Sequence, residues 1–320
     1  MRKIVLGKTN CEVSAISLGT WAFGGESMSG KFSVGWSGQT KENSEKTLKK
    51  AWEVGINHWD TADVYGDGKS ETIIGSSWSK IPRNDIFIAT KFGWDRGPYK
   101  EWYNPKHIKN NFERSLRNLK VDCIDLLYLH HCSFGKNDEL LDDAMSTIRQ
   151  FQAEGKVRFL GLSDWSSKKI FEYIKICRPD VIQPYFNVMD DQYITSGLKK
   201  YVDDNNIGAC FFSPIKHGLL TGKYSKPTSF EKGDHRSRIE EFKNLEILEK
   251  LKSVVGASDF KFDNVFGMAL PESKVVADGR VKPADGYVTE NSSRITFATP
   301  AALTAVASFA AISFAVSVGP

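Results

Sequence analysis

Six short, largely apolar runs in this chain each stop on a polar residue, and amphipathic stretches of helical length separate them. Residues 56–59 stop at Asp60, 86–90 at Lys91, 124–129 at His130, 157–162 at Ser163, 181–186 at Asn187 and 207–212 at Ser213. This alternation of strand and helix predicts a parallel β/α barrel. In such a barrel the C-terminal strand ends converge on one mouth, however far apart they lie in sequence. Asp60, Lys91 and His130 are therefore expected to meet.

The remaining elements follow the same rhythm. Residues 3–6 and 11–13 read as a hairpin that plugs the barrel floor, and 15–18 as the first barrel strand. Residues 21–39, rich in Gly, Ser and aromatics, form a long loop over the mouth. Helices are expected over 44–54, closed by Gly55, and over 71–78, 105–119, 142–154, 167–177 and 197–205. A second aromatic loop spans 92–103.

Seven strands are accounted for by residue 216, and closure needs one more. A helix over 240–254 follows a charged stretch, and beyond 256 the rhythm is lost. Residues 253–258 and 265–270 are the candidates for the eighth strand. The expectation is an α/β fold, a (β/α)8 TIM-type barrel with an N-terminal hairpin, whose eighth strand and C-terminal region are atypical or incomplete. It divides into a barrel over 1–256 and an atypical segment over 257–320. Without an eighth strand, the first and seventh would present unpaired edges.

Composition narrows the function classes. The 320 residues exceed the ~250 of a typical barrel and suffice for a large core. With 43 basic and 39 acidic residues and no basic run, neither nucleic acid nor an acidic membrane surface is an expected partner. Five cysteines without Cys-x-x-Cys spacing suggest a reducing compartment, and no secretory signal is read at the start, so the cytoplasm is expected. Residues 301–318 approach the ~20 apolar residues of a membrane span, but their Ala, Ser and Thr make insertion weak. Asp63, Asp67 and Glu71 make no ligand set with any histidine, so no metal is expected.

The chemistry enters through three motifs. Asp60-Thr61-Ala62-Asp63-Val64-Tyr65-Gly66, Thr90-Lys91-Phe92-Gly93 and Asp125-Leu126-Leu127-Tyr128-Leu129-His130 closely resemble the aldo/keto reductases, a family of NADPH-dependent barrels; the resemblance covers residues 1–245. It implies reduction of small aldehydes or ketones by hydride transfer. Tyr65 would be the general acid, Lys91 and Asp60 its tuners, and His130 the residue that orients the carbonyl. The roles are physically coherent, because hydride addition builds charge on the carbonyl oxygen and a proton donor must stand there. A free phenol has a pKa of ~10, and the Lys91 ammonium is expected to lower it. Taken singly, these residues read equally well as a barrel ion pair, a packing aromatic and a core histidine. Three consecutive strand ends plus one adjoining loop favour the catalytic reading.

The resemblance also assigns a cofactor site for NADPH. Ser163, Asp164 and Gln183 would hold the nicotinamide carboxamide, although the family usually has Asn where this chain has Asp164, and a carboxylate only accepts. Phe212 would stack on the nicotinamide, and Ser213, Pro214, Ile215, Gly218, Leu219, Gly222 and Lys223 would form the pyrophosphate loop. Arg236 and Arg238 are further phosphate candidates. Trp21, Phe92, Trp94 and Trp165 would wall the substrate pocket, while His131 and Cys132 are read as neighbours. The family's adenosine-clamping segment is not recognisable after residue 245, so weakened NADPH binding is expected. Two other readings remain open: a non-enzymatic cofactor-binding or subunit-type barrel, and a defective or chimeric reductase.

Overall fold

The computed structural model of the chain describes residues 1–256, 273–275, 281–283 and 311–316. The N-terminal hairpin pairs β1 (Lys3–Val5) with β2 (Glu12–Ser14), Ile4 opposite Val13. Its turn presses against residues 206–208, and Gly7, at φ 50°, leaves no room there for a Cβ. Leu6 and Val13 are fully buried in one cluster with Phe87, Ala89, Leu126, Tyr128, Val181 and Cys210. Those six side chains point into the barrel, so the hairpin closes its floor as expected.

The wall begins with β3 (Ile16–Gly19), followed by a mouth loop that carries the short hairpin β4 (Met28–Ser29) and β5 (Phe32–Ser33). Then come α1 (Lys41–Glu53), β6 (His58–Asp60), α2 (Lys69–Ser76), β7 (Phe87–Phe92), α3 (Pro105–Leu119), β8 (Ile124–Leu129) and α4 (Leu141–Ala153). β9 (Val157–Asp164), α5 (Ser167–Cys177), β10 (Val181–Pro184), α6 (Gln192–Thr195), α7 (Leu198–Asp204) and β11 (Gly208–Phe211) complete the parallel set. Neighbouring strands pair in sequence order from β3 through β6 to β11, with Asp60 beside Ala89 and Lys91 beside Tyr128.

Local chemistry fixes the helix ends. Thr40 caps α1 by accepting from the Asn43 amide at 3.1 Å, and Asn104 caps α3 just ahead of Pro105. Strand alternation then sorts the core. Trp59, Ile88, Leu127, Leu129, Leu160, Leu162 and Ile182 face outward and pack with Ile73, Ile74, Phe112, Ile148, Ile170 and Ile174 of the helices. Each such side chain, fully buried, contributes ~1.5–3 kcal/mol. The residues between them on each strand face the barrel axis and rise toward the mouth.

Closure is atypical, as expected, but it does not come from the candidate at 253–256. Residues 253–256 are the last turn of α8 (Leu245–Gly256), a helix, and do not supply the eighth strand; residues 265–270 lie outside the described residues. A small pair, β12 (Ser273–Val275) with β13 (Val281–Pro283), also belongs to the C-terminal part. The slot between β11 and β3 is filled by β14 (Ala311–Val316), which runs antiparallel to both. Any strand that pairs both edges satisfies the backbone groups left open by β3 and β11, whatever its direction. Part of the uncharged stretch 301–318 is thus barrel wall, and among the described residues no helix is long and apolar enough to cross a membrane.

Candidate active site

Inward-facing residues at the tops of β6, β7 and β10 make one buried polar cluster. The Lys91 ammonium donates to Asp60 Oδ1 at 2.5 Å, to the Thr61 carbonyl at 2.7 Å and to the Tyr65 hydroxyl at 3.4 Å. The other oxygen of Asp60 accepts from Gln183 Nε2 at 2.9 Å. Lys91 is 2 % exposed and Asp60 4 %, so the charges are withdrawn from water and each depends on the other. Tyr65, on the turn after β6, stands edge-on to His130 at 6.0 Å between ring centroids. The four residues expected to meet do so at one rim.

The electrostatics differ from expectation at Tyr65. Burial pushes its phenol above the ordinary value, and the Lys91 ammonium offsets this only in part. A lysine already paired with a carboxylate has little field left to lower a desolvated phenol. Burial alone would lower the Lys91 pKa, but Asp60 and Tyr65 outweigh it and hold the ammonium above its ordinary value. His130 is held well below its usual pKa by burial, with Lys91 and His131 adding to the effect. The site therefore presents a neutral phenol, a charged lysine and a neutral imidazole, a set suited to donating a proton to an oxygen that is gaining charge.

The carboxamide candidates lie beside this cluster. Ser163 donates to the Gln183 backbone carbonyl at 2.9 Å, and the Gln183 side-chain NH2 gives one of its two N–H groups to Asp60. Asp164 accepts from the Cys132 amide on one oxygen and the Ser166 amide on the other, both at 2.8 Å, tying the loops after β8 and β9 together. Acceptor capacity remains on all three, which fits the NH2 of a carboxamide.

The loop after β11 departs from ordinary backbone. Ser213, Lys216, His217 and Gly218 have φ of 56°, 45°, 57° and 100°. Left-handed residues beside right-handed ones are the backbone pattern of an anion cradle, and three of these four lack glycine's freedom; the amides of Lys216, Gly218 and Leu220 donate within the loop, to the Ser213 and Ile215 carbonyls at 2.9, 3.0 and 3.2 Å. Pro214 and Leu219 are buried or nearly so within the loop, Ile215 packs against the cluster of Leu220 and Phe242, and Gly222 is exposed at the end. Phe212 is half-buried, with Trp165 edge-on at 4.8 Å.

Two sequence assignments need correction. Arg236 is not poised for phosphate: its Nη2 lies 2.6 Å from Asp234, a fully buried carboxylate, and its guanidinium stacks 4.2 Å over Trp36 and 4.3 Å over Phe230. Lys223 and Arg238 remain exposed, Lys223 over Tyr224 and Arg238 over Phe32. Phe92 is not a pocket wall, because the parity that turns Lys91 inward turns Phe92 into the helical shell, where it is 3 % exposed against Tyr103. Trp21, Trp94 and Trp165 do stand at the mouth, Trp21 stacked on Tyr65 at 6.0 Å and Trp94 edge-on to His130 at 6.3 Å.

Sequence reasoning missed the strap over this rim. Gly233 accepts from Ser27 and Gly35 at 3.1 and 2.9 Å, the His235 amide donates to Gly35 at 2.8 Å, and Ser37 donates twice to Asp234 at 2.8 and 2.6 Å. The loops so joined follow β3 and β11, the two strands that flank β14. Trp36, His217 and His235 enter the mouth through it. The one signal in the sequence was the Asp234-His235-Arg236 spacing, an acid able to cap its own turn.

The β/α barrel with this polar cluster at its mouth places the chain in a class of barrel proteins, and the chain belongs to the aldo/keto reductase family, whose model matches residues 15–261. It is 30 % identical over 234 residues to the aldo-keto reductase yakc [NADP(+)] of Schizosaccharomyces pombe, covering 69 % of this chain and 68 % of that one. It is 31 % identical over 240 residues to the NADH-specific methylglyoxal reductase of Escherichia coli, 71 % of each chain. Among solved structures, the glycerol dehydrogenase of Gluconobacter oxydans superposes with a TM-score of 0.65 at 29 % identity, covering 80 % of this chain and 76 % of that one.

Proposed function

We propose that this protein is a cytoplasmic, NADPH-dependent reductase that converts small aldehydes or ketones to alcohols. The observation that carries the reading is the buried Asp60–Lys91–Tyr65 chain with His130 edge-on to the phenol at the mouth. Ser163, Asp164 and Gln183 would hold the carboxamide, Phe212 the nicotinamide ring, and the backbone of 213–222 the pyrophosphate, while Lys223 and Arg238 offer free charge to an adenosine phosphate. Bound there, the nicotinamide supplies the hydride.

The chain's own residues do the rest. Tyr65 gives its proton to the carbonyl oxygen as charge develops on it. Lys91 stabilises the phenolate left behind, and Asp60 keeps Lys91 charged and in place. His130, neutral, donates to the same carbonyl oxygen and fixes its direction. Two positioned donors at one developing oxyanion contribute ~10²-fold or more each. NADPH consumption with a panel of small aldehydes and ketones tests the reading. Turnover that is lost in Tyr65→Phe with folding intact supports it; cofactor binding without turnover of any carbonyl favours the subunit-type barrel.

A further inference from the structure

The rings at the mouth form one continuous arc. Trp94 lies 6.3 Å from His130, His130 6.0 Å from Tyr65, and Tyr65 6.0 Å from Trp21. Trp21 then lies 4.9 Å from His235, His235 5.2 Å from His217, His217 6.2 Å from Trp165, and Trp165 4.8 Å from Phe212. Two members of this arc, His217 and His235, are imidazoles that the proton-donating cluster does not use. They come from different turns, one on the cradle after β11 and one on the strap, and meet only in the folded protein.

Their state is unusual for half-buried histidines. Among the described residues neither ring makes a hydrogen bond to the protein, so all four ring nitrogens are open. Burial, reinforced by His235, Lys216 and Arg236, lowers His217 to about 3; burial and Arg238 lower His235 to about 4. Both are therefore neutral near pH 7, and each carries one N–H donor and one acceptor nitrogen. Several other polar groups of this wall are engaged, whereas the indole N–H groups of Trp36 and Trp165 make no hydrogen bond among the described residues. Trp21 Nε1 donates to the Val34 carbonyl at 2.9 Å, Arg236 is held by Asp234, and Lys216 pairs with Glu241 at 3.3 Å. What remains is the indole surface of Trp21, Trp36 and Trp165.

Building on the reductase reading above, we propose that His217 and His235 form a hydroxyl-recognition subsite, so that the preferred substrates are carbonyl compounds bearing an uncharged hydroxyl group: hydroxyaldehydes and hydroxyketones. An alcohol group both donates and accepts, which matches a pair of neutral imidazoles. A plain alkyl chain entering the same space strips water from the ring nitrogens and returns nothing. A carboxylate finds less to bind in this wall: Lys216 and Arg236 are already paired, and Arg238, which has no carboxylate partner among the described residues, lies over Phe32 and donates to the Ser33 carbonyl at 3.3 Å. Sites built to hydrogen-bond a substrate hydroxyl reject analogues that lack it far more strongly than apolar pockets discriminate by size.

The test compares glyceraldehyde with propanal, a three-carbon pair differing only in hydroxyls, as substrates with NADPH. The expected result is a kcat/KM preference for glyceraldehyde of about tenfold or more, the value of one or more such hydrogen bonds. In His235→Phe, outside the cofactor loop, the preference collapses toward unity through loss on glyceraldehyde while the NADPH Kd is unchanged, and His235→Asn restores part of it; in His217→Phe the preference falls as well, whatever that loop variant does to NADPH. Equal rates on the two aldehydes in the parent protein overturn the proposal. So do variants that keep the preference, and variants that weaken NADPH while the preference persists, which would make the pair a cofactor contact. Should no carbonyl be reduced, the reductase reading itself fails, and the subsite is then tested by tryptophan-fluorescence titration with glycerol and 1-propanol. Tighter glycerol binding lost in both Phe variants upholds it; equal binding ends it.

Discussion

The Lys91 ammonium is shared unequally: it touches Asp60 at 2.5 Å and reaches the Tyr65 hydroxyl only at 3.4 Å. The lysine thus serves the phenol weakly while the phenol is neutral, and its field counts most when a proton has left the tyrosine. Asp60 and Lys91 are also a buried pair in which, among the described residues, neither charge has another counter-ion. Removing one strands the other, at ~3–5 kcal/mol. Lys91→Met and Asp60→Asn are each expected to lose turnover and to lower the melting temperature: the first strands the Asp60 carboxylate, and the second leaves Lys91 without its counter-ion and offers one oxygen where Lys91 and Gln183 Nε2 each used their own. Thermal melts of the two variants beside their steady-state rates check this.

The rate of carbonyl reduction should be flat across neutral pH. The active forms are protonated Tyr65 and protonated Lys91, and both pKa values are raised, Tyr65 by burial and Lys91 by Asp60 overcoming burial. Activity is therefore lost only as pH rises past the ordinary phenol value of ~10. His130 is neutral throughout this range, since burial holds it well below its usual value. A pH–rate profile of kcat measures it directly, and a descending limb near neutrality assigns the proton to another group.

His58 makes stability depend on pH in the acid range. It lies inside the barrel one step below Asp60, fully buried, with neither ring nitrogen hydrogen-bonded within the described residues. Burial lowers its pKa from 6.5 to about 4. Between those values the unfolded chain binds the proton and the folded one does not, so stability falls as pH falls from about 6.5 and levels off below about 4, by ~3 kcal/mol in all from this one group. His131, His217 and His235 are lowered for the same reason and add to the slope. In His58→Phe, denaturant midpoints measured across that window should decline less steeply than in the parent.

The strap depends on Asp234. Burial alone would raise its pKa, yet Arg236 and Ser37 outweigh that and hold it low. Asp234→Ala leaves a buried guanidinium without its counter-ion and cuts both bonds from Ser37. The expected cost is ~3 kcal/mol or more in unfolding free energy. Trp21 and Trp36 both border the strap, so their fluorescence should shift in the same variant, and unchanged melting and emission would show the rim is held by other contacts.

How much of this was legible in the sequence follows from what each feature depends on. Strands buried on both faces leave an apolar signature and must end where the chain meets the mouth, so Asp60, Lys91 and His130 were readable as strand caps. The eighth strand was not, because β14 comes from an Ala- and Ser-rich run and enters antiparallel, outside the strand–helix rhythm that marks the other strands. Parity alone would have excluded Phe92, one residue after the inward Lys91. Desolvation has no sequence signature, which is why the sign of the Tyr65 shift was misjudged. The turning of Arg236 onto Asp234 and the left-handed residues of 213–218 are properties of folded loops.

The account rests on Tyr65 as the proton donor. The most direct measurement is kcat for NADPH-dependent aldehyde reduction by Tyr65→Phe, which removes one oxygen atom and leaves the ring stacked beneath Trp21. The predicted result is a loss of ~10²–10⁴-fold with melting temperature and NADPH affinity preserved. Retention of turnover within a few-fold of the parent would contradict it.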